Sequence, residues 1–208
     1  MSRVVEGRAL HLWSLHEDVT VEQDDAGDGL VLRSRFGTER VGAPTPVERE
    51  ALRRMQLGPV LLANISTRQL KADASGQGRG AYLMLWPMLR RLSHLIVRTL
   101  SLEDLKGPLL SVITIRQGAE FAPADVSAQR LIRLMSDASM TLDPAGFALR
   151  SAGSAHWVQL HRPEAVWVVG LLAWPVTPSR AAAVLPLPPE VTEAVLSYLV
   201  AAGMTVDC

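Results

Sequence analysis

Histidine is the residue type in this chain best suited to acid–base or metal chemistry, and its spacing argues against both. The histidines lack the i, i+4 pairing and the neighbouring carboxylates of a metal site. His156 and His161, on a strand and the turn after it, are expected to diverge. We therefore predict ordinary surface or turn histidines and no metal site, for His11, His16, His94, His156 and His161.

Other catalytic signatures are absent from the sequence. It contains neither the G-x-S-x-G turn of a serine hydrolase nor the G-x-x-x-x-G-K loop that cradles phosphates. The single cysteine, Cys208, excludes internal disulfides and thiolate clusters. We predict no catalytic, cofactor-binding or metal-binding residue in this chain.

Composition limits the partners. The 208 residues are 48% apolar, as in a globular protein, and 21 Lys and Arg balance 21 Asp and Glu. A chain without net charge does not attract nucleic acid or an acidic membrane. The start lacks a signal-peptide core, and the apolar run from Ala165 is shorter than the roughly 20 residues that span a bilayer. We expect a cytoplasmic protein with no nucleic-acid and no membrane partner.

A repeated stretch indicates how the chain is organised. "GFALRSAGSAHWVQLHRPEA", from Gly146, matches "GLVLRSRFGTERVGAPTPVE", from Gly29, at a constant offset of 117 residues. Identities at one offset across a strand, a turn, a strand and a helix start suggest a duplicated unit. The matched residues of the later copy are Gly146, Leu149, Arg150, Ser151, Val158 and Pro163.

Each copy has the pattern of three strands followed by three helices. Thr45 and Glu48 have the spacing of a capping box, residues 85–100 keep helical spacing, and residues 107–115 resemble a buried strand. We predict an α+β fold of two tandem winged-helix-like units, each a three-stranded antiparallel sheet followed by three helices. The expected segments are a first unit at 1–106, a strand and linker at 107–131, and a second unit at 132–208.

Peptide binding fits this fold better than DNA binding. The third helix of the second copy has no basic residue, and Arg90, Arg91 and Arg98 of the first copy are expected on a solvated helix face. Edge strands, in contrast, have free N–H and C=O groups that can pair with an extended peptide. We predict the site at strand 155–160 and its facing helix, with 37–41 as the equivalent edge of the first copy. The candidate peptide-binding residues are Ala155, His156, Trp157, Val158, Gln159, Leu160, Val191, Val195 and Leu199.

A second interpretation of these candidates stays open. Val158, Leu160, Val195 and Leu199 also fit a plain core role, and a strand tryptophan such as Trp157 usually packs against a neighbouring element. The binding hypothesis requires only that the backbone edge be free.

Several segments resemble a known family of peptide-modifying enzymes. "LWSLHEDVTVE", "EALRRMQLGPVLLANI", "GPLLSV" and "HRPEAVWVVGLLAWPVT" through "LPPEVTEAVLSYLVAAGM" are similar to the N-terminal portion of actinobacterial SagB-type peptide dehydrogenases. The resemblance covers nearly the whole chain and rests on packing and turn motifs. It implies a pair of leader-peptide recognition units. In that family they precede a flavin-binding, nitroreductase-like domain that oxidises azolines to thiazoles and oxazoles.

The resemblance and the strand edges together predict a leader-peptide recognition or scaffold protein in the biosynthesis of a ribosomally made, modified peptide. The expected partners are the precursor peptide and a flavin-dependent catalytic subunit. The alternative is a part or subunit of an FMN-dependent azoline dehydrogenase, and FMN is expected only with a nitroreductase-like domain or subunit. A third hypothesis is a structural protein whose sheet edges are buried by dimerisation.

Overall fold

The computed structural model describes residues 8–25, 27–65, 79–104 and 106–208, with residues 79–81 described by their backbone alone. These residues form a mixed α+β fold, which confirms the predicted class. The strands are β1 (Ala9–Leu15), β2 (Thr20–Gln23), β3 (Leu30–Ser34), β4 (Gly37–Val41), β5 (Ile96–Leu102), β6 (Pro108–Thr114), β7 (Ile132–Leu134), β8 (Ser139–Asp143), β9 (Gly146–Arg150), β10 (His156–Leu160) and β11 (Thr205–Asp207). The helices are α1 (Pro46–Leu57), α2 (Arg79–Arg91), α3 (Pro163–Leu171), α4 (Pro178–Val184) and α5 (Pro189–Ala201), with short 3₁₀ helices at Leu62–Asn64 and Ser93–Leu95.

The strands form three sheets in the described part of the chain. Their orders are β1-β5-β6-β10-β9-β8, β2-β3-β4 and β11-β7. The larger sheets are built around antiparallel hairpins, because β3 pairs with β2 and β4, and β9 pairs with β8 and β10.

The chain divides into two compact units. The first comprises the described residues of Leu12–Arg98 with Gln117–Glu120, and the second those of Met1–His11, Thr99–Arg116 and Phe121–Cys208. The segment predicted as a strand and linker, 107–131, contains β6, which belongs to the second unit.

The first unit places one face of its three-stranded sheet against α1 and α2. Thr45 caps α1 as predicted, since its side chain accepts from the Glu48 N–H and the Glu48 carboxylate accepts from the Thr45 N–H at 2.7 Å. The buried side chains of this core include Leu32, Leu52, Met55, Leu85 and Leu89. Burial of these apolar groups, more than helix propensity, stabilises the short helices.

The helix predicted over residues 85–100 is wrong in its extent. α2 begins earlier, at Arg79, ends at Arg91, and is followed by β5 from Ile96. Apolar residues four positions apart, such as Ile96 and Leu100, satisfy strand alternation as well as helical spacing, and β-branched residues favour the strand. Arg98, expected on a solvated helix face, is buried in β5 with its guanidinium 3.3 Å from the centre of the Trp13 ring.

Residues 132–208 contain the strands and helices predicted for the second copy, but three of those strands belong to a six-stranded sheet rather than to a three-stranded one. Asp143 and Gly146 close the β8–β9 hairpin, Thr177 caps α4, and Gly203 ends α5 with a φ of +69°. α3 and α5 cover the face of the sheet that carries Val158 and Leu160. The predicted closing strand is also present, as β11 paired with β7.

Two sequence predictions fall mainly on residues outside the described ranges. They are the second helix of the first copy, in segment 58–70, and the polar loop at 71–80. Of the first, the structure describes only the stretch to Ile65, which contains the 3₁₀ helix Leu62–Asn64. No helix in the described ranges has the length and apolar content needed to cross a lipid bilayer.

Candidate peptide-binding edge

The strand predicted as a free edge, residues 155–160, lies in the interior of a sheet. β10 pairs with β9 on one side and antiparallel with β6 on the other, from His156 opposite Thr114 to Leu160 opposite Leu110. The expectation that this strand offers a free backbone edge is therefore wrong. The strand pattern itself is confirmed, but alternation along one strand does not reveal which strands flank it.

The candidate side chains around β10 form core rather than a groove. Ala155 and Trp157 are partly exposed, and Trp157 has the Arg150 guanidinium 4.9 Å from its ring centre. The core interpretation is confirmed for the four residues to which it applied, because they are buried: Val158, Leu160, Val195 and Leu199. The other candidates, His156, Gln159 and Val191, are buried as well.

Hydrogen bonds identify which backbone groups of this strand face β6. The Ala155 carbonyl accepts from the Ile115 N–H, and the His161 N–H donates to the Leu109 carbonyl, both at 2.9 Å. Groups facing one neighbour recur at every second residue of an antiparallel strand. The backbone groups of Trp157 and Gln159 therefore also point to β6.

The equivalent strand of the first unit, β4, has no such neighbour. β4 is the last strand in the order β2-β3-β4, so within the described residues no strand pairs with its outer side. Ser34 and Gly37 close the β3–β4 hairpin as partners across a two-residue turn. The closing pair of such a hairpin exchanges its hydrogen bonds, and alternation then directs the N–H and C=O groups of Thr38 and Arg40 outward. We call this outer side of β4 the open edge.

Two glycines support the equivalence of β4 and β10. A Cβ on Gly29 would lie 3.2 Å from the Val41 carbonyl oxygen, and one on Gly146 would lie 2.4 Å from the Leu160 carbonyl oxygen. Val41 and Leu160 each end the third strand of their copy. The two glycines are 117 residues apart in the sequence, and the two strand ends are 119 residues apart. With the offset of 119 residues that holds for the third strand, Trp157 corresponds to Thr38 and Gln159 to Arg40. The sequence match of Val158 with Val41 is therefore not a structural one.

Helix α2 ends beside the open edge. Arg91, at the end of α2, donates a guanidinium hydrogen bond to the outward carbonyl of Arg40. Met84 and Pro87 lie seven and four residues before Arg91, on the same side of the helix. Met84 is 51% exposed, and Pro87 is also exposed. α2 therefore carries exposed apolar side chains on the same side as the residue that contacts β4.

Charged and aromatic groups lie where α2 meets β4. Glu39 alternates with Thr38 and Arg40 and lies on the same face of β4 as the buried Val41. Its carboxylate is 3.8 Å from the Arg91 guanidinium and 3.7 Å from Nε2 of the buried His94. Burial lowers the pKa of His94, and the Glu39 carboxylate opposes this shift only in part. The site therefore contains a neutral imidazole beside one loose ion pair.

The other end of the three-stranded sheet is less suited to a ligand. Arg49 of α1 donates to the Gln23 side chain at 3.3 Å and to the Asp28 carbonyl. α1 thus holds the end of β2, which is only four residues long. β4 offers the longer edge.

The histidines do not assemble into a metal site. His94 and His156 are buried, which corrects their predicted surface positions. His161 Nε2 is 2.9 Å from the Ser111 hydroxyl, which is itself 2.9 Å from the Thr99 hydroxyl. Ser111 is 8% exposed, so this network ties β5, β6 and β10 together rather than presenting a nucleophile. Among the residues that the structure describes, no group of three potential metal ligands is found.

Local sequence patterns indicate 37–41 only as a secondary edge and do not identify the residues beside it. They predict a solvated helix face for Arg91 and single out neither Met84 nor Glu39. The proximity of these residues depends on where α2 ends relative to β4, which no local pattern encodes. The available signal is a helix, residues 79–91, that carries exposed apolar residues and no acidic residue.

Comparison with known proteins does not assign the site. Neither the protein-family models nor the curated proteins contain a match to this chain.

Proposed function

We propose that the protein recognises a precursor (leader) peptide and that the peptide adds as a fourth strand to the open edge of β4. In this proposal the chain is a tandem pair of winged-helix-like units, of which the first binds the peptide. It acts in the cytoplasm as a recognition or scaffold protein in the biosynthesis of a ribosomally made, modified peptide. The binding mode is β-strand addition, in which backbone pairing gives affinity and alternate side chains give specificity.

One observation carries the proposal: the position in the second unit that corresponds to the open edge is already filled by a strand. β6 lies antiparallel against β10 over five residue pairs, and its residues Leu110 and Val112 enter the core. This arrangement supports the ability of the shared fold to accept an extended segment at its third strand. In the first unit the same backbone groups, on Thr38 and Arg40, lack a strand partner among the described residues.

β6 also indicates what the peptide should look like. Its helix-facing residues Leu110, Val112 and Thr114 lie opposite Leu160, Val158 and His156. The first-unit counterparts of the last three are Val41, Glu39 and Gly37. A ligand of β4 is therefore expected to run antiparallel to it, with alternate apolar side chains toward Val41, and a longer ligand could reach the exposed Met84 and Pro87 of α2. A few strand hydrogen bonds and two or three apolar contacts correspond to a Kd of about 1–100 μM.

The biosynthetic role rests on the sequence resemblance. The segments similar to SagB-type dehydrogenases correspond to the leader-recognition portion of that family, which favours a precursor peptide over other extended ligands. The same resemblance suggests a flavin-dependent enzyme as the partner that acts on the bound peptide.

A peptide-display selection tests the proposal with no assumption about the sequence of the precursor. Random dodecapeptides on phage are selected on the immobilised protein, and synthetic winners are titrated by fluorescence anisotropy. Thr38→Pro removes the outward N–H of Thr38 and leaves the hydrogen bonds between β4 and β3 intact. Because a bound peptide would lose this donor, we expect the variant to weaken binding by about tenfold or more. The matched control is Leu142→Pro, because Leu142 has the corresponding outward position on β8, the last strand of the six-stranded sheet.

The two proline variants make the outcome specific to β4. We expect winners that lose binding to Thr38→Pro and keep it with Leu142→Pro. Failure to select any dodecapeptide, or winners indifferent to Thr38→Pro, would refute binding at the open edge.

A further inference from the structure

Arg91 occupies part of the open edge. Its guanidinium donates to the Arg40 carbonyl, which is one of the outward backbone acceptors of β4. An antiparallel strand that pairs with Arg40 must place its own N–H on that carbonyl. Arg91 and a bound peptide therefore compete for the same oxygen atom.

Displacing Arg91 has a cost that depends on the peptide. The Arg91 side chain is 52% exposed, and its contact with Glu39 is loose, at 3.8 Å. When a neutral peptide takes the Arg40 carbonyl, the guanidinium loses an acceptor and gains nothing from the ligand. A peptide carboxylate instead replaces a neutral acceptor with a charged one, which forms a stronger, forked hydrogen bond.

Positive charge at the end of α2 attracts such a carboxylate, and Glu39 opposes it in part. α2 carries Arg90 and Arg91 at its end and no acidic residue. Arg90 is paired with Glu120 at 2.9 Å, so it is already satisfied by the chain itself. Among the described residues, Glu39 is the one carboxylate within 4 Å of the Arg91 guanidinium, and a guanidinium with five N–H donors has capacity for a second carboxylate.

On the basis of the proposed function, we infer that Arg91 is the specificity-determining residue of the open edge: it covers the edge in the free protein and selects peptides that carry an acidic residue. The acidic residue belongs at the ligand position opposite Glu39, which corresponds to Val112 of β6. At that position a side chain points toward α2 and lies next to the Arg91 guanidinium.

A matched pair of peptides tests the inference. Both contain residues 107–115 of this chain, the segment that fills the equivalent edge, followed by a Gly-Ser extension. One carries Val112→Glu and the other Val112→Gln, so they differ only in charge. Each is titrated by isothermal calorimetry into the wild type, Arg91→Ala, Arg91→Gln and the control Arg90→Ala, whose folding is checked by circular dichroism.

The inference predicts effects of opposite sign. Arg91→Ala should bind the Glu peptide about fivefold more weakly than the wild type does, because the charge-assisted bond is lost. The same variant should bind the Gln peptide about threefold more tightly, because the Arg40 carbonyl is uncovered. Arg91→Gln, which keeps a donor without charge, should bind both peptides with similar affinity. Arg90→Ala should leave both affinities within a factor of about two of the wild type.

Other results separate the two proposals. If the wild type binds both peptides and Arg91→Ala changes both affinities in the same direction, the inference is overturned and strand addition stands. If neither peptide binds the wild type or Arg91→Ala, both the inference and the assignment of the open edge are contradicted.

Discussion

At the scale of single residues, glycine conformation fixes the hairpins of both units. Gly146 has a φ of +127°, and a Cβ there would lie 2.4 Å from the Leu160 carbonyl oxygen. Gly37 has a φ of +110° but nothing within 4 Å of a Cβ position. We predict that Gly146→Ala lowers the free energy of unfolding by about 2–4 kcal/mol and Gly37→Ala by about 1 kcal/mol. Urea denaturation measures both, and equal losses would contradict the close approach at Gly146.

A buried ion cluster at residue scale predicts acid sensitivity. Arg162 bonds both carboxylate oxygens of Asp104, at 3.0 and 2.9 Å, and also Glu164. Burial alone would raise the pKa of Asp104, but hydrogen bonds from the Lys106 N–H and from Arg162 outweigh it and lower the pKa. Burial likewise raises the pKa of Glu164, but the hydrogen bond from Arg162 helps to lower it below its ordinary value. A carboxyl group whose pKa is lowered by folding stabilises the folded state at pH values above its ordinary pKa. It loses that effect as the pH falls through the lowered pKa.

The corresponding prediction compares Asp104→Asn with the wild type across pH. Removing one partner of a nearly buried pair should cost about 2–4 kcal/mol near pH 7. The difference in unfolding free energy should shrink as the pH falls below 3.8, the ordinary pKa of this carboxyl, because the unfolded chain takes up the proton before the folded chain does. Chemical denaturation at each pH measures it, and a pH-independent difference would argue against the ion pair.

His156 predicts a second, milder pH dependence. Its ring packs edge-on against Phe121, with ring centres 5.7 Å apart, and its buried Nε2 has no hydrogen-bond partner among the described residues. Burial lowers the pKa of His156, so the folded state resists protonation and loses stability as the pH falls below about 6.5. His156→Phe should reduce the stability loss between pH 7 and 5, as followed by thermal denaturation. Unchanged pH slopes would show that this ring is not a source of the effect.

At the scale of elements, proline should destabilise the two third strands to very different extents. The Gln159 backbone pairs with β6, so Gln159→Pro removes a ladder bond inside a sheet and should cost about 3 kcal/mol or more. Thr38→Pro removes an outward group on β4 and should cost less than about 1 kcal/mol. Urea denaturation of both variants measures these costs. Similar tolerance at both positions would mean that β10 also has a free side.

Elements defined by local chemistry were predictable from the sequence. The capping box at Thr45, the hairpin closed by Asp143 and Gly146, and the helix end at Gly203 each follow from residues within one turn. The partner of β10 could not be predicted this way, because β6 lies more than forty residues earlier in the chain. β5 was missed for another local reason: the apolar residues of segment 85–100 fit both helical and strand spacing.

At the scale of the whole molecule, two copies of one pattern have different surroundings. The repeat holds at an offset of 117 residues through the middle strands, β3 and β9. The hairpin loop that follows is longer in the second copy, so the offset between the third strands, β4 and β10, is 119 residues. In the second copy the third strand is enclosed by β6, and in the first it ends its sheet. The sequence repeat predicted two comparable sites, whereas only one of the two third strands, β4, has a side without a strand partner among the described residues.

Amide-resolved hydrogen exchange by NMR tests the central claim most directly. In the free protein the Thr38 and Arg40 amides should exchange quickly and those of Trp157 and Gln159 slowly, because only the latter face a paired strand. Addition of a selected dodecapeptide should protect Thr38 and Arg40 and leave Trp157 and Gln159 unchanged. Slow exchange of Thr38 and Arg40 in the free protein, or no protection by a bound peptide, would contradict an open, peptide-accepting β4.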